Sequence, residues 1–518
     1  MTRLQSFLSG RWQAGEGAGI ALVNPATDET IAHAGAAGLD RRAALEHART
    51  VGGPALRAMS FAQRGAALQA LSAAIHAQRE ALIDLGLANA GNTRGDAKFD
   101  VDGATGTLAY YAQLALELPG RLSLPDGDGL QLGRSPRFHG QHVWVARHGV
   151  AVHINAFNFP AWGMAEKLAC ALLAGVPVLE KPGTPTALMA ERIAHLIVDS
   201  GALPDGAFSF LCGEAGDVLA HLGPQDGVAF TGSSSTAASL RRQPAFLDRG
   251  ARLNVEADSL NAAVLGPDVE PGSESWDMFV RDAVREMTQK TGQKCTATRR
   301  LLVPAPRARE LADALAEGLA GVKVGDPQDA ATRMGPLTNR DQLDTVLGGI
   351  RALAGAADVV CGGAQRLGTR GCFLPATLLL ARDAFAPVFH AEEVFGPVAS
   401  VLPYDGSRAQ AAALVAAGQG SLVTSVYSDD REFPQALALD LAPWSGRLYL
   451  GSAKVAETAT GSGVVLPSMV HGGPGRAGGG EELGGLRGLQ FYMQRTAVQG
   501  FKSVVEPAFG RALPAAAL

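Results

Sequence analysis

The spacing of hydrophobic and polar residues changes character along the chain. Over residues 60–90, "SFAQRGAALQALSAAIHAQREALIDLGLANA", apolar positions recur at helical spacing through Leu68, Leu71, Ile75 and Leu82, which predicts amphipathic helices. A Pro/Gly/Asp-rich connection, "LPDGDG", leads into "LQLGRSPRFHGQHVWVARHG", whose alternation predicts two strands and a turn. From residue 150 short apolar runs alternate with helical stretches: "VAVHI", the helix "AWGMAEKLACALLAG", "VPVLEKPG", the helix "PTALMAERIAHLIVDSG", then "AFSFLCG", "GVAFTG" and "RLNVEA". Buried strands separated by amphipathic helices predict a doubly wound parallel sheet. A second α/β series spans residues 260–455, with strands near "NAAVLG", "RRLLVPA", "SLVTSVYS" and "GRLYLG". The tail "LQFYMQRTAVQGF" alternates again and suits pairing with the early hairpin or with another subunit.

Composition narrows the classes. The chain has 518 residues, of which 47% are hydrophobic and 18% charged, a globular balance with room for more than one domain. A net charge of −5 supplies no basic stripe for nucleic acid and no polybasic membrane patch. The start, "MTRLQSFLSGRW", lacks a signal-peptide core, and "LACALLAGVPVL" is interrupted by Gly and Pro and too short to span a bilayer. A cytoplasmic protein without membrane partners is expected. The cysteines, at 170, 212, 295, 361 and 372, form no CxxC or Cys/His ligand set, so neither disulfides nor a metal site is expected.

Several short stretches carry candidate chemistry. Gly473-Pro-Gly475-Arg-Ala-Gly478 matches GxGxxG, but it lacks the strand–turn–helix setting of a dinucleotide fingerprint and reads as a flexible glycine loop. Cys295, in "TGQKCTA", is set among polar and backbone-permissive neighbours between a turn and a strand. Such a loop can present sulfur to a cleft, with Lys294 or a cofactor cation favouring thiolate. Cys170 and Cys212 read as core thiols. Glu256 ends the strand "LNVEA", where open α/β sheets line their ligand crevice. Asn158 in "FNFP" and Lys181 in "LEKPG" stand on comparable turns and strand ends.

Together these residues resemble the aldehyde dehydrogenase superfamily, over nearly the whole chain. The likeness rests on "FNFP", "EKPGTPTAL", "FTGSSS", "VEAD", "GQKCTA" and "HAEEVFGPV" in that order. It departs at Ala257-Asp258-Ser259 after the base, and at "GRAGGGEELGG", where Glu481 and Glu482 compete for the family's second acidic position. The resemblance implies a Rossmann-type cofactor domain (1–127 and 149–256), an α/β catalytic domain (257–470) and a small oligomerisation β element (128–148 and 488–505). It implies Cys295 as nucleophile, Asn158 with the Cys295 N–H as oxyanion donors, and Glu256 as the base that activates water. It also implies cofactor contacts from Phe157, Lys181, Thr184, Gly232, Ser233, Glu393 and Phe395.

At Thr184 many NAD-preferring relatives carry a glutamate, which would repel a 2′-phosphate. NADP is therefore the expected cofactor, with NAD weaker. The C-terminal segment and "VEADSLNAA" further resemble dehydrogenases of bacterial ring-opening routes for CoA-linked aromatic acids. That likeness implies a homodimer oxidising a CoA-linked semialdehyde, with Arg299 and Arg300 as candidate cations for CoA. The alternatives are a CoA-acylating dehydrogenase, a general dehydrogenase of free aldehydes, and a catalytically silent protein on this scaffold.

Overall fold

Ser60 opens the first long helix through a reciprocal cap: its hydroxyl accepts from Gln63 N–H at 3.3 Å, and the Gln63 side chain accepts from Ser60 N–H at 2.8 Å. The computed structural model, which describes residues 2–118 and 120–509, has helices over Phe61–Ala77 and Arg79–Ala90. Gly91 stops the second of these at φ 69°, a left-handed conformation that glycine adopts without penalty. Leu68, Leu71, Ile75 and Leu82 are all buried, as their spacing predicts. Each such side chain contributes about 1.5–3 kcal/mol by leaving water.

Two seven-stranded sheets carry the fold. In the first, the spatial order is Arg252–Glu256, Gly227–Thr231, Ala151–Ile154, Val178–Lys181, Phe208–Phe210, Ser6–Leu8 and Arg11–Gln13. Its first five strands are mutually parallel, and the N-terminal hairpin closes the edge antiparallel. Chain order reverses between Ala151–Ile154 and Gly227–Thr231, which makes the gap between their carboxyl ends the crevice of the sheet. Apolar clusters cover both faces, one including the helices of residues 61–116 and 162–199 and the other including residues from 44–48 and 237–245.

The second sheet runs Ala357–Cys361, Thr377–Ala381, Val398–Tyr404, Arg300–Pro304, Ala262–Leu265, Ser421–Tyr427 and Ser445–Gly451, parallel except at its first edge. Three of these, the strands between 357 and 404, are additional to those named from the sequence. Val398–Tyr404 carries Pro403, which weakens the strand signal. Met493–Phe501 pairs antiparallel with Phe138–Ala146 over its full length, so the alternating tail does join the early hairpin. "LPDGDG" lies inside the strand Ser123–Gln131 rather than forming a loop. A register shift between Asp126 and Leu130 accommodates Gly127 at φ 70° as a bulge.

The glycine-rich GxGxxG stretch is not a free loop. Val470–Gly472 is a short strand paired with Glu481–Leu483, and the intervening turn clamps the end of the Glu256 strand. Ala257 N–H donates to Ala477 O at 2.9 Å, and Gly480 N–H to Val255 O at 3.1 Å. A Cβ on Gly478 would meet Val255 O at 2.2 Å, with φ at 109°. Glycine is needed here for close approach, not for dinucleotide binding.

Gly478→Ala should therefore lower the thermal midpoint by the equivalent of about 3 kcal/mol or more. Gly479→Ala, at φ 77° with nothing within 4 Å of its Cβ, should cost only about 1 kcal/mol. Calorimetry of the two variants checks this, and equal losses would contradict the clamp.

Candidate active site

Three consecutive left-handed residues aim the chain at its crevice. After the helix Glu274–Thr288, Lys290 (φ 52°), Thr291 (φ 56°) and Gly292 (φ 66°) turn the backbone sharply towards Cys295. Two of them are not glycine, which costs about 1–2 kcal/mol each, so the loop needs anchors. Thr291 Oγ1 donates to Gly335 O at 3.0 Å, and Gln293 Oε1 accepts from Thr338 N–H at 3.0 Å. Arg299 donates to Gly292 O, Lys294 O and Gly396 O, while Asn261 Nδ2 donates to Cys295 O at 2.8 Å and Ala297 O at 2.9 Å. Buried hydrogen bonds worth about 1 kcal/mol each together offset the strain.

Cys295 lines one narrow cavity with Asn155, Asn158, Phe159, Trp162, Glu166, Lys167, Thr231, Glu256, Thr296, Val465 and His471. Cys295, Glu256 and Asn158, nominated from separate parts of the sequence, are thus brought together. His471 Nε2 stands 3.0 Å from Glu256 Oε2 and 3.9 Å from Cys295 Sγ. Lys167 Nζ is 3.0 Å from Glu482 Oε2, and Asn254 Nδ2 donates to Glu482 Oε1 at 3.1 Å. Glu481 is exposed and pairs with Arg487, so the buried acid of the site is Glu482.

Burial dominates the electrostatics. On its own it would raise the Glu256 carboxyl, but the charge and hydrogen bond of His471, with Lys167 behind, hold Glu256 below the ordinary carboxylate range. Burial would lower His471, yet the charge and hydrogen bond of Glu256 and the charge of Glu166 keep it above its ordinary value. Burial and then the charges of Glu256 and Glu166 push the Cys295 thiol well up. Burial also pushes Glu166 up to about 7, against the pull of His471 and Lys167. Cys170 and Cys212 are fully buried thiols pushed up to about 12 by burial, as core residues should be.

The cofactor positions named from the sequence have defined places. Lys181 ends its strand half-buried, and Gly232 and Ser233 precede the helix Ser234–Arg241. Ser233 caps that helix by accepting from Thr236 N–H, while Asp258 accepts from Ser234 N–H at 2.9 Å. The departure at Asp258 therefore puts a carboxylate at a helix N-terminus that favours anions. Phe157 and Phe395 meet edge to face with centroids 6.0 Å apart. Glu393 is held by Arg299 at 3.2 Å and by Ser259 N–H at 3.0 Å; burial, opposed by Arg299, lifts it to about 7. Thr184, three residues after Lys181, lines a cavity of about 320 Å³ with Leu22, Pro25, Asn339 and Arg340.

A nicotinamide cofactor fits this crevice. Thr231 Oγ1 and Asn155 Oδ1 are buried without partners at the carboxyl ends of the two strands flanking the reversal, beside Cys295. Such oxygens suit a ligand that brings its own hydrogen-bonding groups.

Three cation assignments change. Lys294 Nζ is fully buried and spent on Glu286 at 2.8 Å and Gln289 at 2.9 Å, while the His471 imidazole stands 3.9 Å from the thiol. Arg299 anchors the Cys295 loop, and Arg300 is buried on Leu260 O, Leu414 O and His390, so neither offers a free charge to CoA. The residues not foreseen are Glu166, Lys167 and His471. The first two had a signal in the sequence: adjacent charges inside the apolar helix "AWGMAEKLACALLAG".

The aldehyde dehydrogenase family model matches residues 12–498. Over 479 residues the chain is 45% identical to the 3,4-dehydroadipyl-CoA semialdehyde dehydrogenase of Aromatoleum evansii, covering 91% of this chain and 93% of that one. It is 28% identical to succinate-semialdehyde dehydrogenase [NADP(+)] 1 of Mycobacterium bovis, covering 90% and 96%. The crystal structure of NAD-dependent aldehyde dehydrogenase from Sinorhizobium meliloti shares the fold with a TM-score of 0.84 at 23% identity, covering 99% of this chain and 96% of that one.

Glu166 makes a pH prediction. Its folded value lies above the ordinary carboxyl value, so its contribution to stability is complete below about pH 4.5 and is lost as pH rises through about 7. Glu166→Gln should gain thermal stability over wild type between about pH 5 and pH 8, by at most about 3 kcal/mol. A difference that does not grow with pH would mean Glu166 ionises normally.

Proposed function

Because the chain belongs to the aldehyde dehydrogenase family, we propose that it oxidises a CoA-linked semialdehyde to the carboxylate with NADP, through a thioester on Cys295. The observation that carries this reading is the 45% identity, along nearly the full length of both chains, to a 3,4-dehydroadipyl-CoA semialdehyde dehydrogenase. That substrate, formed in aromatic-acid breakdown, is the one we assign to this enzyme.

Cys295 Sγ attacks the aldehyde carbon, and the oxygen that gains charge accepts from the Asn158 amide and the Cys295 backbone N–H. The nicotinamide of NADP, when bound, supplies the acceptor for the hydride that leaves that carbon. Lys181, Gly232 and Ser233 would hold the adenosine and pyrophosphate side, and Phe157, Phe395 and Glu393 the nicotinamide side. Thr184 leaves no carboxylate to repel a 2′-phosphate, which favours NADP. Glu256 then takes a proton from the water that cleaves the thioester. A buried carboxylate beside Cys295 argues against a CoA-acylating enzyme, since thiolysis needs no water-activating base.

A second cavity, of about 340 Å³, is lined by Gly95, Lys98, Phe99, Asp102, Gly103, Trp162 and Gln289. It shares Phe99 and Trp162 with the narrow Cys295 cavity, so a bulky group can sit outside while only the aldehyde end reaches the thiol. Binding energy from that remote group then serves the reacting end. The enzyme acts in the cytoplasm as a homodimer through the three-stranded sheet, where Leu130, Leu132, Phe138 and Phe501 are exposed.

The CoA thioester of the semialdehyde and the matching free semialdehyde should be compared at equal concentration, with NADP and with NAD. The thioester with NADP should show kcat/KM at least about a hundredfold above the free aldehyde. Equal efficiency would remove the CoA assignment, and equal rates with both cofactors would remove the NADP preference.

A further inference from the structure

Two acidic groups, Cys295 and Glu256, line one cavity, and the His471 imidazole stands beside both. His471 Nε2 is in reach of both, at 3.0 Å from Glu256 Oε2 and 3.9 Å from Cys295 Sγ. One ligand atom from each of the three residues lies within 4.8 Å of the others, and the His471 and Glu256 side chains are each 4% exposed. In so dry a space a thiolate and a carboxylate repel, and a lone pair of such groups holds on to a shared proton.

We propose that His471 accepts the Cys295 thiol proton at Nε2 and remains, as imidazolium, the shared counter-ion of the thiolate and the Glu256 carboxylate. The proposal rests on the reading of Cys295 as nucleophile. Neutral His471 carries its proton on Nδ1; the S–H bond breaks with its electron pair left on sulfur, and an N–H bond forms from the Nε2 lone pair and donates to Glu256 Oε2, so the net charge of the trio does not change. When the thiolate is consumed in the C–S bond, the imidazolium keeps only Glu256 as partner. Its proton must then leave before Glu256 can act as base towards water.

Among the described residues that line the cavity, the other cationic side chain is Lys167. Lys167 is committed to Glu482, and Lys294 to Glu286. Arg447, from the Ser445–Gly451 strand, donates to Ser462 O at 2.7 Å. The charged groups that face His471 are Glu256 at the strand end, Glu166 and Lys167 on the helix Trp162–Ala174, Arg447, and Glu482, its partner in the short antiparallel pair. Glu256 and Glu166 raise its affinity for a proton and Arg447 lowers it. With Cys295 and His471 both protonated the thiol is unreactive; the first of these two protons should leave, and Cys295 become reactive, as pH rises through a value above that of ordinary histidine.

Iodoacetamide alkylation of Cys295 in the full-length protein reads thiolate directly, without substrate or cofactor, so it can fail independently of the substrate assignment. The rate is followed across about pH 5–10 by mass spectrometry of the Cys295 peptide, with buried Cys170 as an internal control. His471→Gln and His471→Asn should slow alkylation near neutral pH by about tenfold or more and displace the profile upward by about one unit or more. Glu256→Gln removes a repelling anion, so it should leave the profile in place or move it to lower pH. Unchanged profiles in the His471 variants would overturn the proposal. So would a Glu256→Gln loss matching that of His471→Gln, because Glu256 would then be the base for the thiol. Should both His471 variants misfold, the Glu256→Gln comparison alone decides between the two bases.

Discussion

Charge kept out of water governs the centre of this molecule. Cys295, Glu256, His471, Glu166 and Lys167 line one narrow cavity, with Glu482 behind Lys167, and all but Cys295 are nearly inaccessible to solvent. An unpaired ion there would cost several kcal/mol, so each charge must be matched or neutralised. The structure does both: Glu482 is matched by Lys167, Glu256 by His471, and Glu166 stays protonated up to near neutral pH. Such a balance leaves little freedom. Changing one member alters the protonation of the rest.

The fold serves to bring these groups together. Glu256 arrives on the last strand of the first sheet, Cys295 on the loop that enters the second, and His471 with Glu482 on a two-stranded ladder between them. The glycine turn fixes the end of the Glu256 strand through backbone contacts that no side chain would tolerate. Asn261 and Arg299 fix the strained Cys295 loop by binding its carbonyl groups. The Cys295 loop and the clamped strand end are rigid for separate, identifiable reasons, and the distances among sulfur, imidazole and carboxylate follow from both.

Local patterns made much of this legible in advance. Helical spacing located the helices within residues 60–90 but not the longer Arg94–Leu116, the early hairpin was one of two partners open to the alternating tail, and the resemblance of the ordered motifs named Cys295, Glu256 and Asn158, which share the cavity. What could not be read was partnership between distant residues. Lys294 stands next to the thiol in sequence, yet its ammonium turns back to the preceding helix and pairs with Glu286. Arg299 and Arg300 look like free cations until the backbone carbonyls that hold them are seen. His471 gave no signal, because a histidine before a glycine run shows nothing of the carboxylate it will face. The choice between Glu481 and Glu482 likewise depended on the antiparallel pairing that turns one inward and the other to solvent.

In the proposed mechanism oxidation and hydrolysis are separate steps on one sulfur, with Glu256 needed for the second. Glu256→Gln can be mixed with the CoA-linked semialdehyde and NADP in a stopped-flow cell. About one equivalent of reduced cofactor per site should appear, then a stall, with the acyl mass found on the Cys295 peptide. Steady turnover at the parental rate, or an acyl group absent from Cys295, would contradict it.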